Sequence, residues 1–317
     1  MQSFKPQQRS LGGLYGSLIG DALGVPVEFK PRADRVRDPV TGMRDYGTHG
    51  QPAGTWSDDG ALLLCSVESL IEKGFDTQDM GKRFVRWYAK GLWTAHGTIF
   101  DIGIATRKAL RLIEEGCPAE LAGGQDQYDN GNGSLMRILP VALAGLSLDE
   151  NVFCDQIERA SAITHGHERS KMACVFHGML TRGLMAGLSV QDTLDQTRRD
   201  FGRRYQDSPE ISAFRDLLHA DIATWHESEI LSGGYVMETL TASVWCLLTT
   251  QSFSECVLKA VNLGDDTDTT GCVAGGLAGL LYGMDGIPAE WMAKLCRSKD
   301  LETLFVRFNQ QFITHET

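Results

Sequence analysis

Apolar residues recur along this chain at helical intervals. Between Ala61 and Lys73, the residues Leu62, Leu63, Val67, Leu70 and Ile71 share one side of an α-helix. The same period runs through 80–89, 104–115, 154–164, 169–188, 240–248 and 253–261. Strict alternation of β-branched with polar residues, the mark of a half-buried strand, is hard to find. The pattern predicts an all-α fold.

Glycine modifies that picture. The chain holds 35 glycines, and two helical stretches carry them near every fourth position. One has Gly12, Gly13, Gly16, Gly20 and Gly24; the other has Gly271, Gly275, Gly276, Gly279 and Gly283. Glycine costs about 1 kcal/mol in a helix relative to alanine. Close backbone-to-backbone packing is the simplest offset. The expectation is two central, tightly packed helices, each a candidate partner for the other. The polar stretch from Arg203 to Gly234, with Asp207-Ser208-Pro209-Glu210, reads as a surface excursion or a short linker. Motifs on both sides of it point to one site, so a single domain over 1–317 with an excursion near 203–234 is preferred.

Composition sets limits. With 317 residues, 42% hydrophobic and 22% charged, the chain can bury a large core without staples. A net charge of −11 weighs against nucleic acid and anionic membranes. The nearest basic group, Arg198, Arg199, Arg203 and Arg204 interrupted by Asp200, reads as a solvated helix face. A small anionic ligand is not excluded, because it senses its own pocket. None of the eight cysteines has C-x-x-C spacing, and most sit among apolar residues. They read as free thiols of a reducing cytoplasm. The polar stretch from Met1 to Ser10 leads into glycines and Asp21, not into a signal-peptide core. No apolar run reaches the roughly eighteen residues of a membrane span. A cytoplasmic protein is expected.

Two short acidic clusters carry the candidate chemistry. One is Gly54-Thr55-Trp56-Ser57-Asp58-Asp59-Gly60; the other is Gly264-Asp265-Asp266-Thr267-Asp268-Thr269-Thr270. Each precedes a helical run, so each could simply cap a helix. A cap needs one side-chain oxygen, however, and these clusters offer several. Packed together, Asp58, Asp59, Asp266 and Asp268 would repel unless neutralised. Two divalent cations would match four carboxylates. An oxygen-only set suits Mg²⁺ or Mn²⁺ over zinc.

With these clusters the chain resembles the ADP-ribosylglycohydrolase family. Further motifs carry the resemblance in order: Gly20-Asp21-Ala22-Leu23-Gly24 followed by Glu28, Trp56-Ser57-Asp58-Asp59, Phe100-Asp101-Ile102-Gly103, and Gly131-Asn132-Gly133-Ser134-Leu135-Met136-Arg137. Thr164-His165, Ser232-Gly233-Gly234-Tyr235 and Asn262 to Thr269 complete the set. Each motif is weak alone; their succession is specific. The resemblance implies a compact helical domain with a dinuclear Mg²⁺ or Mn²⁺ centre held by Ser57, Asp58, Asp59, Asp266, Asp268 and Thr269. Family members often have threonine where Ser57 stands and glycine where Asp265 stands. Asp265 is expected behind the ligands or as a helix cap.

The implied reaction releases ADP-ribose from a modified protein, arginine-linked for preference, by cleavage at C1″ of the distal ribose. Serine-linked or nucleic-acid-linked ADP-ribose is the alternative. So is immunity against an ADP-ribosylating toxin, which would make a cognate ADP-ribosyltransferase a partner. Glu28 is the candidate proton-transfer residue, against a surface salt bridge. Asp101 is a candidate for guanidinium binding or proton transfer, with a helix cap equally plausible. Gly131, Asn132, Gly133, Ser134 and Met136 are expected at the diphosphate and distal ribose. His165 is expected to touch substrate, and Tyr235 to stack on adenine or to serve as a core aromatic. His167 is given no role.

Overall fold

The two glycine-rich helices lie against each other in antiparallel order. They span Pro6–Gly24 and Thr267–Tyr282 in the computed structural model, which describes residues 5–313. Met1 to Phe4 of the polar N-terminal stretch lie outside the described residues. The helices meet through their backbones. A Cβ on Gly12 would lie 2.3 Å from the carbonyl oxygen of Gly279, and one on Gly16 2.3 Å from that of Gly275. One on Gly20 would lie 1.9 Å from the oxygen of Gly271. At the last contact, a Cβ on Gly24 would sit 2.3 Å from Cα of Asp268. The seam therefore ends where the second acidic cluster begins.

Fifteen α-helices and several 3₁₀ turns make up the described residues, and no strand is found beyond isolated bridges. The expected all-α fold is the observed one. Helix ends follow local chemistry. Asp76 accepts from the N–H groups of Gln78 and Asp79 to open Thr77–Lys90, and Gly91, at φ +69°, closes it. The predicted 61–73 helix begins three residues earlier, at Asp58, because Ser57 caps it. The helix Val190–Arg204 has a narrow apolar stripe of Leu194 and Phe201 among polar residues, too weak for the period to single out.

The polar stretch after Arg203 is packed onto the body. It forms the helix Arg215–His219 and short 3₁₀ turns, and buries Phe214, Leu217, Ile222 and Ile230. Arg198 donates to the carbonyls of Leu217 and Ala220 at 2.8 and 2.6 Å. Arg203 pairs with Asp200 and Glu150, and Arg204 with Glu158. Arg198, Arg203 and Arg204 are thus tied within the chain, and Arg199 is exposed. All eight cysteines are free thiols, six of them buried. Among the described residues no helix is long and apolar enough to cross a membrane.

The seam makes a sharp prediction. Gly20→Ala drives a methyl into a carbonyl that cannot retreat, and should cost about 3 kcal/mol or more. Gly202→Ala, in the Val190–Arg204 helix with nothing within 4 Å of the new methyl, should stabilise by up to about 1 kcal/mol. Chemical denaturation of the pair is the check. Equal midpoints would remove the close-contact argument.

Candidate active site

Four loops converge at the end of the glycine seam. The first begins as the Pro6–Gly24 helix runs out through a 3₁₀ turn, Val25–Val27, into Glu28. The second ends in Ser57, whose hydroxyl accepts from the Asp59 N–H at 3.2 Å. Ser57 meets the capping requirement, and Asp58 and Asp59 are released from it. The third carries Asp266 at the N-cap of Thr267–Tyr282, with no side-chain cap bond. Asp266 Oδ2 instead accepts from Asn132 Nδ2 at 2.8 Å, which brings in the fourth loop. Thr269 Oγ1 donates to Asp59 Oδ1 at 3.3 Å, and so joins the two acidic clusters.

Asp59 Oδ2, Asp266 Oδ1 and Asp268 Oδ2 are buried and have no hydrogen-bond partner. Burial pushes the acids of Asp58, Asp59, Asp266 and Asp268 above the ordinary carboxylate range, and neighbouring acids push further. Glu28 rises to about 10, through burial and then the charges of Asp101, Asp266 and Asp58. Orphaned buried carboxylate oxygens are costly without a cation. Carboxylate oxygens of Glu28, Asp266 and Asp268 lie within 4.8 Å of one another, as do ligand atoms of Glu28, His49 and Asp101. The donor set fits a hard divalent cation.

Asp21 prepares this geometry from within the first helix. Its carboxylate is fully buried and accepts from Ser57 N at 2.9 and 3.1 Å and from Gly60 N at 2.8 Å. It thereby pins the start of the Asp58–Lys73 helix to the seam. Burial nevertheless raises it to about 7. Asp21 belongs to the Gly20–Gly24 motif, and the sequence alone assigns it no role. An acid isolated among glycines and apolar residues was the available signal.

Glu28 is buried, at 2% exposure, so the surface salt bridge is excluded. His49 Nε2 lies 2.5 Å from Glu28 Oε2. The His49 ring in turn packs on Phe100, with centroids 4.9 Å apart. His49 was missed, since Gly47-Thr48-His49-Gly50 has no periodicity and matches no motif quoted above. Asp101, at φ +54°, does not cap the following helix; Gly103 stands at that position without a side-chain bond. Asp265 departs from expectation as well. It is exposed, and the N-cap belongs to Asp266. Its backbone, at φ +58°, donates to Lys30 O and accepts from Phe29 N, which ties the Glu28 loop to the Asp266 loop.

A cavity of about 490 Å³ opens over these loops. Glu28, Asp58, Asp59, Asp101, Asp266 and Thr269 line one part of it, and Gly131, Asn132, Gly133, Met136 and His165 another. Ser57, Asp268 and Ser134 sit behind this lining, each at most 3% exposed. Ser134 bonds with Ser161 and Cys174. Tyr235 lines a separate hollow of about 270 Å³, and its hydroxyl accepts from Arg169 at 2.9 Å. His165 is buried and held near a pKa of about 3 by burial and by Arg137. His167 caps the helix Glu168–Met185 through Arg169 N. Larger hollows of about 590 and 600 Å³ lie elsewhere, but neither gathers acids, so chemistry selects the smaller one.

Fold and site together define an all-α protein built around a cluster of buried carboxylates. Residues 3–316 match the model of the ADP-ribosylglycohydrolase family, and the chain belongs to that family. ADP-ribosylarginine hydrolase Tri1 of Pseudomonas putida is 33% identical, over 93% of this chain and 76% of that protein. The ADP-ribosyl-[dinitrogen reductase] glycohydrolase of Rhodospirillum rubrum is 29% identical over 90% of each chain. A solved structure described as an ADP-ribosylglycohydrolase-related protein complex superposes with a TM-score of 0.82 at 31% identity. It covers 97% of this chain and 99% of its own.

The raised acids fix the sign of a pH effect. In metal-free protein the folded state holds protons that the unfolded state has lost. Stability therefore falls as pH climbs above the ordinary values of 3.8 and 4.5 towards about 7 for Asp21 and about 10 for Glu28. Melting after chelation should drop between about pH 5 and pH 8. Added Mg²⁺ should restore more at the higher pH. Asp268→Asn should melt higher than wild type when metal-free, and lose most of the Mg²⁺ response. A flat melting profile would show that the acids do not repel as described.

Proposed function

We propose that this protein is a divalent-cation-dependent hydrolase that removes ADP-ribose from ADP-ribosylated protein, with arginine as the modified residue. The observation that carries this reading is the pairing, in one cavity, of orphaned carboxylate oxygens with a second acidic pair, Glu28 and Asp101. Membership of the family supports the reaction class. The likeness to the Tri1 hydrolase supports the choice of arginine.

Ser57, Asp58, Asp59, Asp266, Asp268 and Thr269 would hold two ions, Mg²⁺ or Mn²⁺. Bound there, such ions supply Lewis-acid polarisation and a template for a vicinal diol. The rest falls to the chain's own residues. Glu28, hydrogen-bonded to His49, would be ionised once bound cations offset the neighbouring acids, and is then suited to take a proton from water as oxygen bonds to C1″. The bond from C1″ to the guanidine nitrogen breaks, that nitrogen takes the proton Glu28 removed from water, and the arginine side chain leaves as guanidinium while Glu28 returns to its ionised form. Asp101 offers a carboxylate to the planar cation and its paired donors. Gly131, Asn132, Gly133, Met136 and His165 would meet the ribose and diphosphate. The N–H groups of Asn132, Leu135 and Met136 already donate within the protein. A phosphate would therefore turn to the N–H groups of Gly131, Gly133 and Ser134 and to the imidazole edge beside them.

Release of ADP-ribose from arginine-linked and serine-linked peptides at equal concentration tests the linkage. Faster release from the serine peptide would refute the choice of arginine. Chelation should abolish release, and Mg²⁺ or Mn²⁺ should restore it. Full turnover in verified metal-free protein would end the cation-dependent reading. Glu28→Gln should fold and bind ADP-ribose while turnover falls by about 10²- to 10⁴-fold. Loss of affinity with normal residual turnover would make Glu28 a binding residue instead.

A further inference from the structure

Arg137 is a buried cation with no carboxylate partner. Its side chain is 0% exposed. Two of its nitrogens donate to the carbonyl of Ala160 at 3.2 Å, and the guanidinium lies 4.6 Å from the ring centre of Phe84. Its remaining polar contact is to Thr164 Oγ1, at 2.8 Å from Nη2. Guanidinium only donates, so Thr164 must accept. The Thr164 hydroxyl hydrogen is left for its other neighbour, His165 Nδ1, at 2.8 Å.

This chain of donors decides where the imidazole proton sits. Were Nδ1 protonated, Thr164 would face two donors, and its own hydrogen would be buried without an acceptor. A charged imidazolium would meet the same conflict, next to the Arg137 charge. His165 is therefore neutral, with its hydrogen on Nε2. That nitrogen makes no hydrogen bond within the described residues, and the residue lines the acidic cavity. Glycine keeps its edge uncovered. A Cβ on Gly131 would lie 3.3 Å from Nε2, and one on Gly133 2.9 Å from Cε1.

We propose that Arg137 and Thr164 are positioning residues that fix His165 as a neutral Nε2–H donor, aimed through the gap left by Gly131 and Gly133 at an acceptor oxygen of the ligand. The ligand's identity rests on the reading of the cavity as an ADP-ribose site; the tautomer does not. Donor polarises donor along the chain, so the buried charge strengthens the Nε2–H bond without adding a mobile cation to the cavity.

Nitrogen NMR of histidine-labelled, ligand-free protein at about pH 7 tests the tautomer. The expected His165 signals are an unprotonated Nδ1 and a protonated Nε2. A protonated Nδ1, or a charged ring, would overturn the proposal. Thr164→Val should scramble the tautomer and weaken ADP-ribose binding by about three- to tenfold. Thr164→Ser, which keeps the hydroxyl, should restore both to within about twofold. Arg137→Lys should shift the tautomer signals in the same direction as Thr164→Val. Should that variant not fold, the wild-type spectrum and the Thr164 pair still decide. An unchanged tautomer and affinity in folded Thr164→Val would refute the relay. If the wild type shows the Nε2–H form but binds no ADP-ribose, the relay holds and the reading of the cavity fails.

Discussion

The backbone contact between Pro6–Gly24 and Thr267–Tyr282 is the constraint on which the site depends. Carbonyl oxygens of one helix occupy the space that side chains would fill on the other. Nothing but glycine fits, and the helices cannot slide without a clash. The antiparallel order then sets Gly24 against Asp268. The end of one helix, leading to Glu28, and the start of the other, carrying Asp268, must arrive together. Asp21, three residues before the first helix's end, fastens a third element to the pair through Ser57 and Gly60. Asp58, Asp59 and Asp268 stand in the first turns of helices, so their positions follow from rigid packing, and Asp266 and Glu28 are held in the turns beside those helices.

That rigidity holds like charges together. A flexible site would let Asp58, Asp59, Asp266 and Asp268 move apart or take up water. Here the acids stay, and their protons or a cation must answer the repulsion. The cost is met by the core: Trp56, Leu62, Leu63 and Leu64 beside the first cluster, and Cys272 and Val273 beside the second, are buried. Hydrophobic burial along the same helices offsets a cluster that would unfold a weaker scaffold.

What could be read from the sequence was what depends on local periodicity or on short clusters. The helices, the glycine seam and the two acidic clusters all have that character. Roles that depend on tertiary direction were not legible. Asp101 precedes a helix and looked like a cap, but its left-handed backbone turns it away and leaves Gly103 at the cap. Asp265 lies within an acidic cluster, yet its side chain faces solvent while its backbone does the joining. Ser134 and Tyr235 stand in the quoted motifs, yet one is packed behind the cavity and the other beside a different hollow. His49 belongs to no cluster, and only the fold brings it to Glu28. Capping raises a further difficulty. Ser57 shows that a capping residue can free its neighbours for another task, so cap and ligand are not rival readings of one segment.

The rim of the cavity is held by a different kind of bond. Asn132 N donates to Gly234 O, Asp266 N to Ser232 O, Asp265 N to Lys30 O and Phe29 N to Asp265 O. These are main-chain bonds, indifferent to the side chains that the same residues carry. The loops can therefore keep their places while exposed rim side chains such as Phe29, or Tyr128 beyond the acids, change. The buried positions have no such freedom. Asn132 Nδ2 must donate to both Thr239 and Asp266, and Thr269 must reach Asp59. The base of the cavity and its mouth are thus held by separate sets of bonds. A side chain exposed at the rim can change without disturbing the acids beneath it.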